Sequence, residues 1–230
     1  MSPRAYARLF DEIVKRPDLP VVEVGAAGGA ATVAIAWGQQ SSGKTSPIIT
    51  FEKCEGGSRT EHGDRETNLA RLREHLAAQG VADRVEIHAR KLSREDGPLV
   101  NDILGCRRIA ALVHDADGRI DRDFDLFWNR LIDGGLIVVD DYEERYDFRE
   151  ISERYPDGGT KHLITYRLVN YFVSQGAMEI EASIHNTLFA VKPAATKFSR
   201  IDLEHCRRIV SEVHAERAST GKFSPAPDGV

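Results

Sequence analysis

The chain has 230 residues, of which 41% are hydrophobic and 29% charged, the composition of a soluble globular protein. Its net charge of −5 argues against a general nucleic-acid-binding protein, which needs a basic surface. Residues 1–20 lack the apolar segment of a signal peptide, and no apolar run is long enough to span a membrane, so we expect a cytoplasmic protein with no membrane partner. Three widely spaced cysteines, Cys54, Cys106 and Cys206, fit neither a disulfide framework nor a zinc site.

Apolar runs alternate with helical stretches along most of the chain. An amphipathic helix is predicted first, over residues 4–15, and the prolines of "RPDLP" end it. Five strands follow, at 21–24, 48–51, 85–89, 109–114 and 135–139. Helices are predicted between these strands, at 30–37, 64–79, 94–104 and 121–132. Strands that are apolar throughout and alternate with helices favour a parallel sheet that is covered on both faces.

The C-terminal part of the chain has a different pattern. A helix at 163–175 is followed by strands at 178–184 and 187–192, and the two-residue turn between them predicts an antiparallel hairpin. A last amphipathic helix, at 202–218, either packs on the domain or pairs two subunits as a homodimer. The predicted fold is therefore α/β, a doubly wound sheet of seven strands, mostly parallel with a C-terminal antiparallel hairpin. The predicted organisation is an N-terminal helix (1–19), the main domain (20–193), and a C-terminal helix with a flexible tail (194–230).

The stretch "VVEVGAAGGAAT" (21–32) ends the first strand in a patch of small residues. Gly25 and Gly29 leave the turn bare, so that a ligand can lie against the backbone and the N-terminus of the next helix. A dinucleotide-binding turn has three glycines around a pyrophosphate, but Ala27 stands at the place of the second one. Glu23 precedes the glycines and suits a cationic ligand better than a pyrophosphate. The alternative is that both glycines only permit tight packing between strand and helix.

With a second acid, Glu52, the pattern resembles the class I S-adenosylmethionine (SAM) methyltransferases. "EVGAAGGAAT" matches the first motif of that family, and "ITFEKCEGG" matches its second, whose acid binds the ribose. The resemblance covers about residues 20–193 and implies a Rossmann-like fold with SAM as the cofactor. The segment "HARKLS" departs from the family, which often carries Gly-Asp there, so the adenine contact is unassigned. The cofactor-binding residues that the resemblance implies are Glu23, Gly25, Ala26, Gly29, Thr32 and Glu52.

Acidic residues also follow the fourth and fifth strands, in "LVHDADGR" and "IVVDDY". Carboxylates in one neighbourhood repel one another unless a cation lies among them, and oxygen ligands suit Mg²⁺, Ca²⁺ or Mn²⁺. The alternatives are a simple turn at Asp117-Gly118, and helix capping or pairing with Arg119 or Arg145 by the later acids. The four acids that these strand ends bring together are Asp115, Asp117, Asp140 and Asp141.

This cluster narrows the resemblance to metal-dependent O-methyltransferases of the catechol, caffeoyl-coenzyme A and macrolide-sugar types. The resemblance implies that Asp115, Asp140 and Asp141 bind a divalent cation such as Mg²⁺, and that Asp115 takes part in catalysis. It implies a hydroxylated small molecule, a natural product with an aromatic or sugar hydroxyl, as the methyl acceptor. The catechol-type base, a lysine, would fall at Gly118, so the base is not carried over. By chemistry alone His114, His162 and His185 are candidates, and His114 adjoins Asp115.

Two other functions remain open at this point. One is an NAD-dependent oxidoreductase on a similar sheet, for which the sequence lacks the pyrophosphate glycine and a hydride-site Tyr-Lys pair. The other is a catalytically inactive partner protein with the same fold, which the absence of the lysine at Gly118 leaves open. The polar and aromatic segment 142–162 is expected to form part of the acceptor pocket or a lid over it.

Overall fold

A computed structural model gives the structure of the protein and describes residues 1–55, 64–143 and 159–219. Seven strands form one sheet in the order β3-β2-β1-β4-β5-β7-β6. β1 to β5 pair in parallel, whereas β7 runs antiparallel to β5 and β6 antiparallel to β7, so the predicted fold is confirmed. The strands are β1 (Val21–Val24), β2 (Ile48–Glu52), β3 (Val85–Ala89), β4 (Ile109–His114), β5 (Leu131–Val139), β6 (Glu179–Ile184) and β7 (Thr187–Val191).

Helices cover both faces of the sheet. Val22 and Val24 of β1 face a core built with α4 to α7, whereas Val21 faces a second core built with α1 to α3. The central strands are buried along their whole length, which explains why their sequences are apolar throughout. The α-helices are α1 (Pro3–Lys15), α2 (Ala30–Ser41), α3 (Arg65–Ala78), α4 (Gly97–Leu104), α5 (Ile120–Phe127), α6 (Gly159–Ser174) and α7 (Leu203–Ser219).

The end of the helix predicted at 121–132 is wrong. α5 ends at Phe127, and Leu131, which was predicted on the helix face, begins β5 instead and pairs with Ile109 of β4. The register between β4 and β5 shifts beyond this pair, and Gly134 adopts a φ of 69° within the strand. An apolar residue between a helix and a strand is compatible with both structures. Here the pairing of Leu131 with β4 places it in the strand.

Neither terminal helix is isolated from the central domain. α1 buries Ala5, Leu9 and Ile13 in the core that it shares with α2, and α7 buries Cys206 and Val213 in the other core. Residues 220–230 of the predicted tail lie outside the described residues. Among the described helices, none combines the length and the apolar character needed to cross a membrane.

Candidate active site

The turn after β1 requires glycine at position 25. Gly25 has a φ of 92°, and a Cβ atom there would lie 2.1 Å from the carbonyl oxygen of Asp115. Its N–H donates to the carbonyl of Phe51 at 2.9 Å, which fixes the turn against β2 as well. The absence of a side chain therefore lets the end of β1 contact the backbone that carries Asp115 after β4.

The remainder of the turn consists of small residues and leads into α2. Gly29, with a φ of 85°, precedes the helix, and its N–H donates to the carbonyl of Ala26 at 2.7 Å. Ala27 has a positive φ of 46° and turns its N–H towards β2, where it donates to Glu52 Oε2 at 2.7 Å. The turn is thus fixed to Glu52, and part of it lines the cavity described below, whereas a Cβ atom at Gly29 would lie 2.8 Å from Leu72 of α3. Gly29 therefore permits close packing against α3, which was the alternative interpretation of the glycines.

Glu52 is positioned by backbone amides rather than by other side chains. Oε2 accepts from the N–H of Ala27, and Oε1 accepts from the N–H of Cys54 at 2.9 Å. Each carboxylate oxygen can accept a second hydrogen bond. Glu52 also lines the cavity described below, so its remaining acceptor capacity is available to a ligand with paired hydroxyl groups.

Glu23 is completely buried beneath this turn. Its Oε2 accepts from the hydroxyls of Thr32 and Thr50 at 2.7 and 2.9 Å, and Oε1 has no hydrogen-bond partner among the described residues. Burial, with smaller contributions from the carboxylates of Asp115 and Glu52, raises the pKa of Glu23 to about 7 against the opposing effect of the two threonine hydroxyls. A cation in the cavity would favour the ionised form of this carboxylate.

A cavity of about 630 Å³ opens in front of the turn, within the usual range for a small-molecule site. The glycine turn, Glu52 and Asp115 line it on the side of the sheet. It is also lined by Arg90, Lys91 and Leu92, which follow β3 and belong to the segment that departs from the family pattern. The structure therefore places this segment beside the proposed cofactor, although the sequence did not assign it a contact.

Three of the four predicted acids form one cluster. Ligand oxygens of Asp115, Asp140 and Asp141 all lie within 4.8 Å of one another. Burial and the charge of Asp140 raise the pKa of Asp115 to about 7. Asp140 accepts from the Thr187 hydroxyl at 2.6 Å, and the amino group of Met1 lies 3.0 Å from its other oxygen. A donor set of three carboxylates that repel one another fits a hard divalent cation.

The acidic cluster also contacts a lysine that was not among the predicted site residues. Lys161, near the start of α6, forms an ion pair with Asp141 Oδ2 and lines the cavity. His162 Nε2 lies 3.4 Å from Asp141 Oδ1, and Asn186 donates to the same oxygen at 3.3 Å. Burial raises the pKa of Asp141, but Lys161 and His162 outweigh it and the pKa lies below its usual value.

Two predicted residues lie apart from this cluster. Asp117 pairs with Arg122 at 2.8 Å instead of joining the other acids. His114 is buried, and its Nδ1 lies 2.5 Å from Asp123 Oδ2 of α5. Because neighbouring residues of a strand point to opposite faces, His114 is turned into the core while Asp115 lines the cavity. The geometry does not favour His114 as a base, since its ring is not among the groups that line the cavity.

The structure also shows where the other candidate histidines and the predicted arginine partners lie. His185 lies exposed in the turn between β6 and β7, whereas His162 is buried beside Asp141. Arg119 pairs with Asp121 and not with the later acids, and Arg145 lies outside the described residues. Most of the predicted acceptor segment 142–162 also lies outside them, since the structure describes only its two ends.

Fold and site together define a class of protein, a doubly wound α/β domain with a ligand cavity beyond the strand ends and a carboxylate cluster at its side. A family described as a methyltransferase domain matches residues 22–142, more than half of the chain. The chain belongs to this family, and its predicted resemblance to the class I methyltransferases is confirmed.

Solved structures share the fold at low sequence identity. The O-methyltransferase TomG of Streptomyces achromogenes, solved with SAM, is 16% identical, with a TM-score of 0.58 over 84% of this chain and 81% of that one. An O-methyltransferase of Bacillus cereus, solved with SAH, is 15% identical, with a TM-score of 0.59 over 84% and 82%. CalS11, a TDP-rhamnose 3′-O-methyltransferase, is 15% identical, with a TM-score of 0.54 over 82% and 77%. No curated protein matches the chain.

Proposed function

We propose that the protein transfers the methyl group of SAM to a hydroxyl of a small molecule. The observation that carries this proposal is the position of the Glu52 carboxylate and the bare turn after β1 in the same cavity as Asp115. The first two would hold a cationic nucleoside, and Asp115 stands beside the place that its reactive end would occupy. Similar folds bind SAM in TomG and SAH in the Bacillus cereus enzyme, and both are described as O-methyltransferases.

Each part of the cavity has a role in this reaction. Glu52 would accept hydrogen bonds from the two ribose hydroxyls, as an acid after the second strand does in related sheets. Buried Glu23 would provide a negative charge behind the turn for the cationic cofactor. Gly25 would leave room for the cofactor against the backbone, and Thr32 keeps Glu23 oriented because it donates to its carboxylate. Ala26 and Gly29 would shape the turn without lining the cavity. Holding donor and acceptor in line accounts for a large share of such a rate enhancement.

A divalent cation, Mg²⁺ by its preference for oxygen ligands, fits the residues Asp115, Asp140 and Asp141. When bound there it would lower the pKa of the acceptor hydroxyl. Asp115 lines the cavity and would orient the acceptor. His162 is the candidate histidine closest to the cluster, with its Nε2 atom 3.4 Å from Asp141 Oδ1. Like His114 it is not among the residues that line the cavity, so the base is not assigned to it. An aromatic or sugar hydroxyl of a natural product is the proposed acceptor.

The two rival functions have less support. An NAD-dependent oxidoreductase would use the second position of the glycine turn for a pyrophosphate, but the N–H of Ala27 donates to Glu52 there. An inactive partner protein gives no role to the acidic cluster, of which Asp115 lines the proposed cofactor cavity.

Calorimetry with SAM and NAD, followed by methyl-transfer assays on phenols and sugars with Mg²⁺, tests the proposal. We expect SAM to bind, NAD not to bind, and at least one hydroxylated acceptor to be methylated. Binding of NAD in place of SAM would favour the oxidoreductase. SAM binding without methyl transfer to any acceptor would favour the inactive partner protein.

A further inference from the structure

Lys161 brings a positive charge into the carboxylate cluster from a helix outside the two acidic motifs. Its ammonium group pairs with Asp141 Oδ2, and the charges of Asp141, Asp115 and Asp140 all favour its protonated form. The side chain is largely buried, with 30% of its surface exposed, and it lines the same cavity as Asp115. The amino group of Met1 lies beside Asp140, so Lys161 is the cation of the chain that pairs with Asp141 in the cluster.

The packing of α6 explains how this lysine reaches the cluster. A Cβ atom at Gly118 would lie 2.9 Å from the carbonyl oxygen of Lys161 and 3.3 Å from its Cγ atom. The same atom would lie 2.8 Å from Thr165 Oγ1, and that hydroxyl donates to the Lys161 carbonyl at 2.9 Å. The first turn of α6 thus fills the space that a side chain at position 118 would need. This position of the first turn of α6 directs the side chain of Lys161 towards Asp141.

A divalent cation and Lys161 compete for the same oxygen. Asp141 Oδ1 faces Asn186 and His162, so Oδ2 is the oxygen that pairs with Lys161. A divalent cation bound by the three acids would be coordinated by these same oxygens. The ammonium group of Lys161, paired with one of them, would repel that cation.

We propose that Lys161 is a tethered cation which occupies the carboxylate cluster and is displaced from Asp141 when a divalent cation binds. The inference rests on the proposed function, since it takes Asp115, Asp140 and Asp141 as the metal ligands. It makes Lys161 a positioning residue, which keeps the acids close together before the cation arrives and sets how tightly the cation is held.

Titration of Mn²⁺ into protein without SAM or acceptor, followed by calorimetry or by the electron paramagnetic resonance of free Mn²⁺, tests this inference. Lys161→Met removes the charge while keeping much of the length of the side chain, and Lys161→Arg keeps the charge. Lys91→Met is the matched control, because Lys91 lines the same cavity but makes no ion pair within the described part of the chain. The affinity of each variant for SAM reports whether the cofactor site is folded.

We expect Lys161→Met to bind Mn²⁺ at least about tenfold more tightly than the unmodified protein, because a unit charge close to a divalent ion has been removed. Lys161→Arg and Lys91→Met should bind Mn²⁺ with nearly the affinity of the unmodified protein. Unchanged or weaker Mn²⁺ binding by Lys161→Met would overturn the inference, and so would the absence of Mn²⁺ binding in every variant. Neither result touches SAM binding, and failure of the unmodified protein to bind SAM would instead overturn the proposed function.

Discussion

Glu52 is the residue at which cofactor binding can be tested most directly. Its two oxygens are held by the N–H groups of Ala27 and Cys54, so the carboxylate is already oriented before a ligand arrives. Replacing Glu52 with alanine should weaken SAM binding by about 1.5–3 kcal/mol, the usual loss for a hydrogen bond to a charged group. Calorimetry measures the affinity, and Glu55→Ala is the control, since Glu55 is an exposed acid that lines the same cavity. Equal affinities of the two variants for SAM would show that Glu52 does not bind the ribose.

Glu23 should make the stability of the protein depend on pH. Because burial raises its pKa from 4.5 to about 7, the folded state binds the proton more tightly than the unfolded state does. The stabilisation is complete below the unfolded pKa and is lost as the pH rises towards 7. Over this range the free energy of unfolding of the unmodified protein should fall by roughly 3 kcal/mol more than that of Glu23→Gln, because glutamine has no proton to release. Urea unfolding of both proteins from about pH 5 to pH 8 measures the difference, and parallel profiles would contradict it.

The residues of the site differ in how far the sequence could predict them. Gly25, Glu52 and Asp115 follow apolar strands, and the ends of parallel strands meet at one edge of the sheet. No sequence pattern indicates that Lys161 belongs to the site, because only the packing of α6 against Gly118 brings it close to the acids. His114 was a candidate because it adjoins Asp115, but Asp115 lines the cavity while His114 pairs with Asp123 in the core.

At the scale of elements, the docking of α6 depends on the absence of a side chain at Gly118. Gly118→Ala must accept both a φ of 77° and contacts of 2.8 and 2.9 Å with Thr165 and Lys161. Gly176 is the matched control, because it has a similar φ of 68° but nothing within 4 Å of an added Cβ. Both variants bear the cost of a left-handed backbone, and overpacking should make Gly118→Ala less stable than Gly176→Ala by about 1–3 kcal/mol. Urea unfolding measures this difference. Equal stabilities would mean that α6 can move away from the turn.

The elements themselves could largely be predicted because their hydrophobic patterns are long and consistent. The five apolar runs became five parallel strands, and the two-residue turn at 185–186 joined the hairpin. The errors lie at the ends, as at Leu131, where local pattern does not distinguish a last helical turn from a first strand residue. Tertiary pairing with Ile109 decides that position, and a single sequence does not contain this information.

At the scale of the whole molecule, the acidic cluster exists only when the sheet is complete. Asp115 follows β4, and Asp140 and Asp141 follow β5. Asp140 is held by Thr187 of the antiparallel strand β7, and Asp141 by Lys161 of α6. The hairpin thus does more than extend the sheet, because it orients one of the three proposed metal ligands. The glycine turn, by contrast, depends only on the first strands and their neighbours. Binding of the cofactor and binding of the proposed cation should therefore be separable at Asp140, whereas Asp115 belongs to both the cavity and the cluster.

This separation leads to the prediction that Asp140→Ala abolishes methyl transfer that depends on a divalent cation, while the affinity for SAM stays within a few-fold. The reason is that Asp140 contributes to the cluster through β5 and β7, whereas the glycine turn and Glu52 lie on β1 and β2. Activity with Mg²⁺ and with EDTA, and calorimetry with SAM, give the two measurements. Asp117→Ala is the control, since Asp117 lines the cavity but pairs with Arg122, and it should keep the cation dependence. Turnover that survives in Asp140→Ala, or that EDTA leaves unchanged in the unmodified protein, would show that the acids act without a metal.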